Sequence, residues 1–235
     1  MSLIDATLRA FALLFTGDRD LWRIILVSLS TSMAGLILAT PPAVLLGYLV
    51  GMHAFRGRRI VIWLAQAALS LPTVLVGLLL YLTLSNHGPL GSLQWLFSQR
   101  GIVLGQCVMA MPVLLAFTLA AVQAIDPRYA ETALSLGARR HQVMARVLHE
   151  ARFGVMAAVL SGFGRVISEV GCALMVGGNI EGQTRTITTA IALETSKGEF
   201  AEGIALGIVL VAIALLMNGA LMLLQGDAHV ARERT

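Results

Sequence analysis

Five long apolar segments occupy most of this 235-residue sequence, and the first carries no charged residue. A transmembrane helix needs about 20 mostly apolar residues to cross the hydrocarbon core of a bilayer, and each segment is at least that long. We therefore predict an all-α polytopic membrane protein that forms one transmembrane domain over residues 1–235. The five predicted transmembrane helices cover residues 24–52, 60–84, 101–125, 153–176 and 203–225.

The composition excludes an ordinary soluble protein. The chain is 57% hydrophobic and 13% charged, with a mean hydropathy of +0.81, whereas soluble domains contain about 25% charged residues. The net charge of +4 comes from arginines in short loops beside apolar segments, which favours membrane topology and lipid headgroups over nucleic acid. We expect the lipid bilayer as a partner and no nucleic acid.

The first residues predict an interfacial helix and not a cleavable signal peptide. Ile4, Leu8, Phe11 and Phe15 recur at helical spacing among charged residues, a pattern typical of an amphipathic helix on a membrane surface.

Prolines lie inside the first three predicted spans, at Pro41–Pro42, Pro72 and Pro112. Since proline frees a backbone carbonyl, we expect these three spans to be kinked.

The distribution of basic residues predicts the orientation in the membrane. Ten of them lie after spans one and three and in the C-terminal tail, and six lie in the alternate loops: Arg9, Arg19, Arg23, Arg100, Arg185 and Lys197. Cytoplasmic loops carry the excess of Lys and Arg. We therefore expect the N-terminus outside and the C-terminus in the cytoplasm of a bacterial or archaeal inner membrane.

The predicted cytoplasmic loop after span three, residues 126–149, has the signals of two short helices. Asp126 followed by Pro127 is a helix start, and Gly137 is able to stop or bend a helix. Such an elbow would expose apolar side chains outside the bilayer, which favours a docking element over an ordinary interfacial loop. The apolar residues expected to be exposed are Leu134, Leu136 and Val143.

Glu131-Thr132-Ala133 followed by Gly137 resembles the EAA loop of importer permeases of the ATP-binding-cassette (ABC) superfamily. The resemblance implies coupling helices that seat in a cleft of the ATPase subunit. It assigns charge contacts to Glu131, close approach to Ala133, and the bend to Gly137 and the adjoining Ala138. Where the family usually continues to leucine-proline, this chain has His149 and Glu150. This exit resembles the tungstate permease branch.

Downstream segments are similar to permeases for tungstate, molybdate and sulfate. The similarity lies in residues 162–171, 177–180 and 184–186, and residues 194–198 fit the tungstate branch best. The resemblance implies translocation of an oxyanion by alternating access, with tungstate as the expected substrate and molybdate or sulfate as alternatives. It also implies a second copy of the chain, a dimer of ATPase subunits and an extracytoplasmic oxyanion-binding protein.

Two charged residues lie inside the fourth predicted span, Arg165 and Glu169, four positions apart. A charge at the bilayer centre costs about 2.5–3.5 kcal/mol even on insertion scales, so it normally faces a cavity or a partner. Arg165 is therefore a candidate to attract the oxyanion on the translocation pathway. Glu169 would then keep this site from binding the anion too tightly to release it. The alternative is that the two side chains neutralise each other and touch no substrate.

The polar segment after this span contains the other candidate site residues: Asn179, Thr184, Arg185 and Thr186. Hydroxyl and guanidinium groups are oxyanion ligands, so this segment is a candidate outer gate or binding-protein contact. Thr188 and Thr189 belong to the same cluster. A solvated polar loop is the alternative interpretation.

Motifs for chemistry are missing from the sequence. It has no phosphate-binding loop ending in Gly-Lys-Ser/Thr, no zinc-protease motif and no nucleophile elbow. We expect no catalytic residue, no metal site and no directly bound cofactor, with ATP and magnesium held by the partner ATPase. The alternatives from other classes are a self-powered secondary transporter or channel, and an intramembrane enzyme.

Overall fold

The computed structural model describes residues 18–232, so the predicted interfacial helix at residues 4–15 lies outside the described part of the chain. Within this range the chain forms α-helices and one short 3-10 turn at Gly91–Leu93, without a β-strand. The all-α prediction is confirmed. The helices are α1 (Arg19–Met52), α2 (Arg58–Ala68), α3 (Thr73–Leu84), α4 (Gln99–Gln123), α5 (Pro127–Ser135), α6 (Arg140–Glu150), α7 (Arg152–Ile167), α8 (Gly171–Gly177), α9 (Ile187–Lys197) and α10 (Phe200–Arg232).

Three of the described helices are long and apolar enough to cross a membrane singly: α1, α4 and the part of α10 from Phe200 to Gly219. The pairs α2–α3 and α7–α8 qualify only when each bent pair is taken as one span, which gives up to five. The second and fourth predicted spans are thus broken helices. The other prolines do not interrupt their helices, since α1 continues through Pro41–Pro42 and α4 through Pro112.

Proline explains the first break. Pro72 is the N-cap residue of α3 and has an extended backbone. Its ring disfavours a helical conformation in the preceding residue, and it has no N–H to donate, so a continuous helix does not form through this position. The second break covers residues 168–170, between Ile167 and Gly171. There the Ser168 hydroxyl donates to the Gly164 carbonyl at 2.8 Å, a local bond that competes with helix continuation.

The chain divides into two compact units. The first unit contains residues 18–35, 72–109 and 164–216 of the described chain. One of its clusters packs Leu21 and Ile25 of α1 against Ile187 and Ala190 of α9. Nearby in sequence, the backbone N–H of Ile187 donates to the Ser28 hydroxyl at 2.6 Å, a bond between residues 159 positions apart. Another cluster joins α3 and α8 through Leu84, Cys172 and Val176.

The second unit contains residues 36–71, 110–163 and 217–232. Helices α1 and α4 approach closely in this unit. A methyl group added at Gly51 of α1 would lie only 2.7 Å from the Val122 side chain of α4. Val122 and Tyr48 belong to a buried cluster that also takes in residues of the 126–151 region. The predicted cytoplasmic elbow is therefore anchored on the core of this unit.

Candidate functional site

The elbow has the two predicted helices, α5 and α6, joined at Gly137. The Asp126 side chain accepts from the backbone N–H of Arg128 at 2.9 Å, and Pro127 occupies the first helical position. Gly137 adopts φ 86°, a left-handed conformation that closes many helix C-termini. The Ala138 N–H donates to the Ala133 carbonyl at 3.0 Å. Three of the predicted coupling residues thus form the bend itself.

One face of the elbow is buried in its own unit. Val143 and Val147 of α6 and Ala130 of α5 pack with Tyr48 and Val122. The expectation that Val143 would be exposed is wrong, since it is 5% exposed. Helical periodicity places an apolar stripe on α6, but only the fold determines which neighbour covers it.

The other face of the elbow is open. Leu136 is 84% exposed and Leu134 is 50% exposed, as predicted, and the Glu131 side chain is also exposed. No described atom would lie within 4 Å of a methyl group added at Gly137. The open face therefore presents two leucines, a carboxylate and a bare backbone turn, a composition suited to docking another protein.

The break between α7 and α8 is organised by Glu169, which is 4% exposed. One carboxylate oxygen accepts from Arg165 Nη1 at 3.2 Å, and the other accepts from the backbone N–H of Cys172 at 3.1 Å. The Thr188 hydroxyl donates to the Glu169 carbonyl at 2.7 Å. Both carboxylate oxygens and the carbonyl of this residue are thus occupied by protein donors.

Arg165 and Glu169 do meet, as the sequence pattern predicted, but not as neighbours on one continuous helix. Arg165 lies in the last turn of α7, while Glu169 lies beyond its end. The Arg165 side chain is 34% exposed and the Glu169 side chain 3%. The pair therefore has one buried, fully engaged member and one accessible member.

The polar segment after α8 is folded inward. Thr184, Thr186, Thr188 and Thr189 are each no more than 6% exposed, so a solvated loop does not describe these side chains. The Thr184 hydroxyl donates to the Gly177 carbonyl at 2.6 Å and accepts from the Ile180 N–H at 2.9 Å. Thr186 and Thr189 cap α9 reciprocally, side chain to backbone.

Asn179 and Arg185 differ from the threonines because each has a buried polar atom without a hydrogen-bond partner in the described chain. These atoms are Asn179 Oδ1 and Arg185 Nε. Arg185 Nη2 lies 3.5 Å from Glu181 Oε2, whose side chain is 72% exposed. Among the side chains that the structure describes, no group of three or more His, Cys, Asp or Glu is placed to hold a metal ion.

The hydrogen-bond partners of these residues are not predictable from the sequence. Thr188 reaches Glu169 across 19 positions and Ser28 reaches Ile187 across 159, and no spacing rule connects positions so far apart. The buried threonines carry a weak local signal, since Thr186 and Thr189 have the N-cap and N3 spacing of a capping box.

Known proteins resemble this chain over most of its length. A family model described as the binding-protein-dependent transport system inner membrane component matches residues 43–227. The tungstate uptake system permease protein TupB of Campylobacter jejuni is 37% identical over 216 residues, 92% of this chain and 90% of the relative. A probable anion ABC transporter permease protein of Haloferax volcanii is 39% identical over 82% of this chain and 85% of the relative.

Solved structures show the same fold. A chain in the crystal structure of a bacterial alginate ABC transporter, in complex with its alginate pentasaccharide-bound periplasmic protein, superposes with a TM-score of 0.71 at 22% identity. The match covers 88% of this chain and 78% of that chain.

Proposed function

The chain belongs to the family of binding-protein-dependent transport system inner membrane components, and on that premise we propose that it is the permease subunit of an ABC importer for tungstate. The observation that carries this proposal is the similarity to a tungstate uptake permease over nearly the whole chain. Molybdate and sulfate, which share the tetrahedral oxyanion form, are the alternative substrates.

The proposed assembly contains two copies of this chain, two ATPase subunits and an extracytoplasmic binding protein. The described residues supply three to five spans, which are few to enclose a polar pathway, and this supports a second copy. A binding protein is part of the family description. Since the chain has no phosphate-binding loop, ATP and magnesium belong to the partner subunit.

The elbow is the proposed contact with the ATPase, through Glu131, Ala133, Gly137 and Ala138. Its exposed leucines and carboxylate support docking, and its buried anchor on Val143 and Val147 supports transmission of force into α1 and α4. On binding ATP, the two ATPase subunits would close and bring the two elbows together. The spans would then turn from inward-facing to outward-facing, and hydrolysis would reset them. In the proposed cycle the elbow and the C-terminus lie in the cytoplasm.

Arg165 is the proposed pathway residue. Its accessible guanidinium uses one N–H toward Glu169 within the described residues, which leaves donors for a passing oxyanion. Glu169 holds that guanidinium in place and lowers the local positive charge. A pathway group must bind weakly enough to release its ion, and a guanidinium half-neutralised by a carboxylate satisfies that requirement.

The test is uptake by proteoliposomes that contain the permease, its ATPase and the binding protein. We expect ATP-dependent uptake of tungstate that exceeds uptake of molybdate and sulfate at equal concentrations. Arg165→Ala should lower the uptake rate at least about tenfold, the loss expected for one charged hydrogen bond, while the complex still assembles.

Three outcomes would contradict this proposal in different ways. Uptake that persists without the ATPase would favour a secondary transporter or channel. Preference for molybdate or sulfate would change the substrate within the same family. Dissociation of the Arg165→Ala complex in detergent would assign the Arg165–Glu169 pair to structure and not to the pathway.

A further inference from the structure

A small charged cavity lies where the N-terminal end of α1 faces the loop between α8 and α9. Asp20 and Arg23 line it from α1, and Glu181 and Arg185 line it from the loop. Ile24 and Val27 form its apolar wall, and Gly182 completes the lining. Both arginines belong to the set that the positive-inside distribution places on the outer side of the membrane.

Arg185 is the better-buried of the two arginines, with a side chain 15% exposed. Its Nε is buried and has no hydrogen-bond acceptor among the described residues. Its one ionic contact in the described chain is with Glu181, at 3.5 Å, which is longer than the usual 2.7–2.9 Å for a charge-assisted hydrogen bond. A guanidinium that presents a fork of N–H groups matches the edge of a tetrahedral oxyanion.

Arg23 supplies a second guanidinium to the same cavity. A methyl group added at Gly182 would lie 3.1 Å from Arg23 Nη1, so the glycine, at φ 67°, gives this side chain room to lie over the loop. Among the residues whose side chains the structure describes, no acidic group lies within ion-pair distance of Arg23. The cavity therefore has two cationic groups with unused donors, one of them partly buried.

The Glu181 carboxylate lies beside the Arg185 guanidinium, the position in which a bound anion would be expected. Its carboxylate contacts Arg185, yet its side chain is 72% exposed, so it is free to turn into water. An exposed ion pair of this kind contributes only about 0–1 kcal/mol, and an incoming dianion competes with it readily. With Asp20 counted, the cavity has two positive and two negative groups, which favours brief occupancy over tight binding.

We propose that this cavity binds a tetrahedral oxyanion between Arg23 and Arg185, and that the Glu181 carboxylate occupies Arg185 until the anion displaces it. That the bound anion is the transported one rests on the proposed function. A phosphate group of a lipid has the same recognition chemistry and is the second source that the experiment must distinguish. The site is separate in sequence from Arg165, and no covalent step is involved.

The experiment measures equilibrium binding of tungstate to the purified permease–ATPase complex in lipid nanodiscs, without binding protein. Glu181→Gln removes the competing carboxylate and should strengthen tungstate binding about two- to fivefold. Arg185→Ala should weaken it about tenfold or more. Arg23→Ala should weaken it in the same direction, and because Arg23 is exposed, this variant tests the site even where Arg185→Ala disturbs the loop.

Matched controls keep the change in net charge and move it elsewhere. Glu199→Gln and Arg100→Ala alter exposed residues of the same unit that do not line the cavity. Both should leave the tungstate affinity unchanged. Equal affinity in wild type, Glu181→Gln, Arg23→Ala and Arg185→Ala would overturn the proposed site, as would equal shifts in the controls.

The presence or absence of lipid phosphate separates the two sources of the anion. Tungstate binding of equal strength in phosphatidylcholine nanodiscs and in phosphate-free maltoside micelles assigns the site to the transported ion. Binding that is weaker in the nanodiscs than in the micelles, and that Arg185→Ala weakens in the micelles, assigns it to a lipid phosphate and still supports the oxyanion site. Wild-type proteoliposomes that take up tungstate, while binding is the same in all variants, would refute the cavity and leave the importer assignment standing.

Discussion

The elbow formed by α5 and α6 and the polar region around the α7–α8 break distribute their side chains in opposite ways. The elbow exposes Leu134 and Leu136 and leaves Gly137 in open space. The break, the loop between α8 and α9 and the start of α9 bury Glu169 and four threonines and provide them with hydrogen bonds. Burial of exposed apolar side chains against a partner lowers the free energy. Buried polar groups that are already hydrogen-bonded gain little from a further partner.

This difference separates two kinds of functional region that look alike in sequence. Both segments were candidates for contact with another molecule. The elbow keeps its docking groups free, while Thr184, Thr186 and Glu169 are already engaged inside their unit. The groups proposed above to contact anions are instead the guanidiniums of Arg165, Arg185 and Arg23.

Removal of the Glu169 carboxylate should have the largest effect. Glu169→Ala leaves the Cys172 N–H and Arg165 without acceptors in a buried break, and we expect a loss of about 2–4 kcal/mol in the free energy of unfolding. Glu131→Ala, the matched change on the open elbow, should cost less than about 0.5 kcal/mol. Unfolding in detergent under increasing SDS measures both. Equal losses would erase the contrast between the regions.

Thr184→Val should have the next largest effect. Valine has the shape of threonine but cannot bond the Gly177 carbonyl or the Ile180 N–H. Leaving these buried groups unpaired should cost about 1–2 kcal/mol. The control is Thr132→Val on the exposed surface of α5, which should be neutral within about 0.5 kcal/mol. Equal stability of the two variants in the SDS titration would show that the loop hydroxyls do not hold the fold.

The stability cost of a substitution at Gly137 should depend only on how well the new residue adopts a left-handed backbone conformation. At φ 86° with open space around it, Gly137→Ala should cost about 1 kcal/mol from the left-handed backbone. Gly137→Asn should recover much of that loss, since asparagine tolerates this region. Thermal unfolding of the two variants gives the comparison. An alanine variant as stable as wild type would mean that the bend relaxes to a right-handed turn.

Leu136→Ser should have the smallest effect on stability and a clear effect on transport. The side chain is 84% exposed, so the free energy of unfolding should change by less than about 0.5 kcal/mol. If the elbow docks on the ATPase, ATP-driven uptake should fall about fivefold or more. Val143→Ser, on the buried face, should instead destabilise the fold. Normal uptake in Leu136→Ser would remove this leucine from the docking surface.

Local signals predicted the elbow well. The cap at Asp126, the proline at the first helical position and the bend at Gly137 all depend on residues within a few positions of one another. The burial of Val143 was not predictable, because it depends on Tyr48 and Val122, which reach it only in the folded unit.

The α7–α8 break escaped prediction for a related reason. Residues 153–176 were predicted to form one apolar span because the polar residues near the break, Arg165, Ser168 and Glu169, lie in a long hydrophobic segment. The break is stabilised by a carboxylate that turns back to cap α8 and by a hydroxyl from Thr188. Periodicity cannot indicate a partner 19 positions away. The break at Pro72, in contrast, has a local cause, although a kink and not a full break was expected there.

The hydrogen bond from Ile187 to Ser28 sets an order of events during synthesis. The two residues are 159 positions apart, and at about 5–20 residues per second a ribosome needs about 8–30 s to pass from one to the other. During that interval the Ser28 region of α1 has been synthesised, but its partner Ile187 in α9 has not. Until most of the chain has been made, the Ser28 hydroxyl near the N-terminal end of the first helix therefore bonds within its own helix or to water.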